Sequence, residues 1–167
     1  MGKYTTAAKA GVVAGIIPTI VGTIWGYYTT SLIMEDIMRS IAAEVPPEAL
    51  AMAKAMMTFG FVIGAVFNLA FMAVIGIVCL LIVERLKYTW PVKGLIAAAI
   101  HFLFNQGLSL ISLAFQQVPP EVMASIREKL GNLTIIGYVI SAVVAIVFGL
   151  IYAYLIYKWL EESSTIS

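Results

Sequence analysis

The stretch KGLIAAAIHFLFNQGLSLISLAFQQ, from Lys93 to Gln117, is long and apolar enough to cross a bilayer. Within it His101, Asn105, Ser109, Ser112 and Gln116 recur at steps of four, four, three and four. At ~100° per helical residue these positions fall within an arc of ~80°, so one side of an apolar helix is polar. Hydrocarbon cannot satisfy such groups. The stripe must face other helices, a water-filled cavity or a bound ligand.

The rest of the chain has the same character. Its 167 residues are 62% hydrophobic and 11% charged, with a mean hydropathy of +1.00, whereas about a quarter of residues in soluble domains are charged. Four segments reach spanning length: Gly11 to Met34, Met57 to Val83, Gly94 to Phe115 and Thr134 to Tyr157. Lys3 and Lys9 precede the first as they would in a signal peptide, but the apolar run is too long for one and reads as a span. The expected fold is all-α: a polytopic four-transmembrane-helix bundle, residues 1–167 forming a single membrane domain. Its first partner is the lipid bilayer.

Orientation follows from the cations. An even number of spans puts Lys3, Lys9, Arg85, Lys87, Lys93 and Lys158 on one side, and Arg39, Lys54, Arg127 and Lys129 on the other. Positive charge favours the cytoplasmic side, which predicts a cell-membrane protein with both termini in the cytoplasm. Tyr88, Trp90, Tyr157 and Trp159 then form an aromatic belt at that side.

Val-Pro-Pro-Glu occurs at Val45–Glu48 and again at Val118–Glu121, 73 residues later. The same shift carries Pro18 onto Pro91, Gly64 onto Gly137 and Gly76 onto Gly149 without a gap. An internal repeat of 11–85 and 86–160 accounts for this spacing, each half a helical hairpin in tandem. Both proline pairs suit helix starts, since proline lacks the N–H that a first turn leaves unpaired. After Pro120 a short amphipathic helix is expected at the outer interface, ending at Gly131. Gly11, Gly15, Gly22 and Gly26 share an arc of ~60°, a face for close helix approach and a candidate subunit contact in a homo-oligomer.

Function is read from the stripe. His101, Asn105, Ser109 and Ser112, with Asn68 from the second span, are candidates to line a path for a small polar solute or cation. Glu35 and Asp36 would stand at its outer entrance. Ser141, matched to Asn68 by the repeat, would close the path from the fourth span. The competing account makes the stripe interhelical glue in a noncatalytic scaffold subunit of a larger membrane complex. A conduit's stripe borders a wet cavity; a scaffold's is filled by a partner or bonded to itself.

Met34 and Met38, and Met52 and Met56, are helical pairs four apart beside Met57. Two thioethers on one face suit a soft metal such as Cu(I). In that motif alone the pattern resembles the M-x-x-x-M of copper-transporter spans. Methionine also simply fills gaps at apolar interfaces.

Missing residues exclude other chemistries. One histidine cannot supply paired haem ligands, and Cys79 alone forms neither an internal disulfide nor a redox pair. The second and fourth spans carry Asn68 and Ser141 where a rotor proteolipid carries a carboxylate, and the first lacks the glutamate of proton-coupled multidrug pumps. Glu84 is expected to pair with Arg85 at the interface. No acid and nucleophile pair stands at membrane depth, so the expectation is a non-enzyme without cofactors. The scattered cations offer no nucleic-acid face.

Overall fold

A computed structural model describes residues 2–41, 45–115 and 120–161, with side chains at 2–35, 38, 45–109, 128 and 130–160. Four helices follow in order: α1 Lys3–Ile41, α2 Pro47–Val83, α3 Trp90–Phe115 and α4 Pro120–Ile156. A five-residue π-helical turn, Tyr157–Glu161, extends α4. α1 packs along α2 and α3 along α4 as two hairpins. α1 against α4 forms the seam between them, whereas α2 and α3 touch only lightly.

The proline pairs start helices as expected. Pro46 precedes α2 with φ −58° and ψ 142°, Pro47 is its first residue and Glu48 lies in the first turn. α4 likewise opens at Pro120. The short interfacial helix after Pro120 is not separate, however, because α4 continues through Gly131 to Ile156. An exposed helical glycine costs only about 1 kcal/mol relative to alanine, too little to stop a helix of 37 residues. α1 also runs unbroken through Pro18.

α1, α2 and α4 hold 39, 37 and 37 residues, or ~55–58 Å at 1.5 Å per residue. A hydrocarbon core of ~30 Å leaves each overhanging it, and the polar connections are largely helix rather than loop. These are the three helices long and apolar enough to cross a membrane among the described residues. The chain is therefore a multi-pass integral membrane protein. α3, at 26 residues or ~39 Å, is also long enough to cross, with its side chains described as far as Ser109.

The core lies toward the end of the bundle that carries the chain termini. Ala7, Ala10 and Ala14 of α1 meet Met72, Ile75 and Cys79 of α2, with Ala97 of α3 and Phe148 and Tyr152 of α4. Glycines bring the backbones together there. A Cβ on Gly11 would stand 2.9 Å from Gly76 Cα, and one on Gly149 would stand 2.6 Å from the Ala98 nitrogen. Gly76 and Gly149 are 73 residues apart, but their partners Gly11 and Gly94 are separated by 83. Toward the connections contacts are made by side chains, as where a Cβ on Gly26 would stand 3.1 Å from Phe61, and Gly22, Gly60, Gly64, Gly107 and Gly131 have no described neighbour within 4 Å of an added Cβ.

Two expectations are corrected at this level. The glycine face of α1 is not free for another subunit at Gly11 and Gly15, because the chain's own Gly76 and Met72 occupy it. Glu84 pairs not with Arg85 but with Lys3, whose Nζ donates to Oε2 at 2.9 Å and Oε1 at 3.2 Å. That exposed pair ties the start of α1 to the end of α2.

Candidate functional site

His101 sits on α3 where the closed half gives way to the open half. Its side chain is 4% exposed, and its ring stacks on Phe148 with centroids 4.6 Å apart. Phe148 stacks in turn on Tyr152 at 5.8 Å. The Tyr152 hydroxyl donates to the Gly76 carbonyl oxygen at 2.5 Å. Gly76 lies on α2, so three rings and one hydrogen bond join α3, α4 and α2 in a column across the bundle. Glycine at 76 matters twice, since it admits α1 and leaves its carbonyl within reach of the tyrosine.

Above the column, on the side of the α1–α2 and α3–α4 connections, is a cleft between α1, α3 and α4 whose inner end α2 also borders. Its inner part, about 80 Å³, is lined by His101, Asn105, Asn68, Ser141, Pro18 and Trp25 among others. Its outer part, about 380 Å³, shares Trp25, Asn105 and Ser141 and adds Thr29, Ser109, Thr134 and Tyr138. The two adjoin at the shared residues and together form a funnel, broad and open outside, whose inner part reaches the imidazole. Below the column lies a separate cavity of about 190 Å³, bordered by Tyr152, Trp90, Lys93 and Glu84. His101 thus faces one space and Tyr152 the other, with Phe148 between.

Polar groups in the funnel are unevenly satisfied. Asn68 Nδ2 donates to Thr19 Oγ1 at 3.2 Å, a bond from α2 to α1 that is glue in the ordinary sense. His101 Nδ1 is buried without a hydrogen-bond partner. Among the described residues no hydrogen bond joins the side chains of His101, Asn105 and Ser109 to one another. These three members of the stripe are therefore not bonded to one another.

The structure brings together His101, Asn105, Ser109 and Asn68, with Ser141 opposite them. The side chains of Asp36, Ser112 and Gln116 lie outside the described set. Glu35 is elsewhere: it borders a cavity of about 280 Å³ with Tyr27, Met34, Met38, Lys54 and Met57. Of the methionines, Met34 and Met38 share that cavity with Met57, whereas Met52 and Met56 are 66% and 64% exposed and stand apart. Among the described residues no group of three or more His, Cys, Asp or Glu is placed to hold a metal ion.

Sequence reasoning missed Trp25, Thr29 and Thr134 as lining, and Phe148 and Tyr152 as the column. A signal existed: Thr134, Gly137 and Ser141 keep helical spacing on α4, as do Gly22, Trp25 and Thr29 on α1. Each is a face of small or polar residues turned to the same space as the α3 stripe. Gly137 leaves room for the indole, and a Cβ there would stand 3.0 Å from Trp25 Nε1. No protein-family model, curated protein or solved structure matches the chain.

Proposed function

We propose that this membrane protein carries a small polar solute or ion across the bilayer along the cleft between α1, α3 and α4. In this account α3 is a fourth span, so that both termini share one side. The six-to-four division of Lys and Arg makes that side cytoplasmic. The cleft then opens outward, and the His101–Phe148–Tyr152 column is the barrier between its inner end and the cavity on the cytoplasmic side. Passage requires the stacked rings to part. Tandem duplication of the hairpin belongs to the same proposal, supported by the 73-residue spacing of the two Val-Pro-Pro-Glu stretches.

The observation that carries the reading is the funnel itself. A polar, unbonded stripe bordering a cavity is what a conduit requires, and a purely structural stripe would be consumed in bonds between helices. The test is solute entry into liposomes holding the purified protein. His101→Ala and Asn105→Ala should each change the rate by roughly tenfold, a change of about 1.4 kcal/mol in barrier. Identical rates in all three proteins, or none above empty liposomes across ions and neutral solutes, would exclude a conduit along this cleft.

A further inference from the structure

The chemistry of the funnel's lining narrows the solute. Resting on the conduit reading above, we infer that the cleft selects an uncharged, hydrogen-bonding solute of a few heavy atoms, of the amide or small polyol class, over ions of the same size.

Three observations point the same way. First, the described lining holds hydroxyls from Thr29, Ser109, Thr134 and Ser141 and amides from Asn105 and Asn68, and among the described residues no Asp, Glu, Lys or Arg. Removing an ion from water into a narrow membrane cleft costs several kcal/mol unless an opposite charge or a ring of aligned dipoles replaces the hydration shell. Second, Glu35, the described acidic residue expected at the entrance, borders a different cavity together with Lys54. Cation enrichment by Glu35 therefore acts away from the funnel. Third, hydroxyls and primary amides each both donate and accept, so they complement a solute that does both. An amide or a polyol does, whereas an ammonium or guanidinium only donates and a carboxylate only accepts.

Size and depth agree with this class. About 80 Å³ at the inner end holds a handful of waters or one solute of that bulk. At its floor stands His101, with Nδ1 lacking a partner. Trp25 borders both parts of the funnel, so a solute in either part lies beside the indole.

The discriminating experiment uses shape-matched pairs. Urea and guanidinium share a planar skeleton and differ in charge, as do acetamide and acetate. Entry of each into proteoliposomes is measured against empty liposomes. In parallel, the wild-type protein labelled with 5-fluorotryptophan is titrated with each solute in detergent. Its three tryptophans give separate fluorine signals, and Trp25→Phe identifies the one in the funnel. The expected result is protein-dependent entry of urea and acetamide at least tenfold faster than of guanidinium and acetate, with a saturable shift of the Trp25 signal for the neutral members only. Equal or faster entry of the ions would overturn the inference while leaving the conduit intact. A saturable Trp25 shift with urea but no entry would retain the selectivity of the site and overturn the conduit. Neither entry nor shift for any of the four would overturn both.

Discussion

The two halves of this bundle use one vocabulary to opposite ends. Toward the termini, Gly11, Gly76, Gly94 and Gly149 draw backbones into contact, and a stacked column fills the remaining space. Toward the connections, Gly22, Gly60, Gly64 and Gly107 face no described neighbour within 4 Å, and side chains border a funnel of hydroxyls and amides. A small residue in a membrane helix is a permission for close approach. Whether it is used depends on what the partner helix presents.

Changes that unmake the closed half should have the largest effect. Phe148 is fully buried between His101 and Tyr152, so Phe148→Ala should lower stability by about 3–5 kcal/mol, measured as reversible unfolding in micelles. It should also raise solute leak through the cleft, because the middle of the barrier is gone. Unchanged stability together with unchanged leak would remove the column as a structural element.

The glycines offer a smaller and sharper contrast. Gly76→Ala drives a methyl against the Gly11 backbone at 2.9 Å and should cost about 1–3 kcal/mol, because backbone yields less readily than a flexible side chain. Gly64→Ala meets nothing and should leave stability unchanged or raise it by up to about 1 kcal/mol through helix propensity. The opposite signs are the test. Equal losses at both positions would mean that the open half is closed in solution by something else.

The helices and the polar face of α3 were legible in the sequence, and the contrast between the two halves was not, for a physical cause. Helix starts at Pro47 and Pro120 followed from a proline's missing N–H, and the α3 face from spacing alone. His101, Asn105 and Ser109 do share a space with Asn68 and Ser141. Periodicity defines a face, however, and not its neighbour. Glu35 was expected at the mouth because it lies at the right depth, yet it is turned toward α2 and Lys54 rather than toward α3. Met52 and Met56 have the same spacing as Met34 and Met38 but face outward. Gly131 looked like a helix end because glycine commonly is one, and the helix continued because nothing nearby required it to stop. The column was invisible for a related reason: His101, Phe148 and Tyr152 come from two helices, and no local pattern brings their rings together.

The central claim is a water-accessible cleft that ends at the His101–Phe148–Tyr152 column, and it is tested most directly by cysteine accessibility. The native Cys79 is fully buried and provides a silent background. Iodoacetamide, a small neutral amide of the class the cleft admits, should modify Thr134→Cys and Ser141→Cys, which line the cleft, and leave Ala145→Cys, in the closed half, untouched. Protection of Ser141→Cys as complete as that of Ala145→Cys would contradict the account.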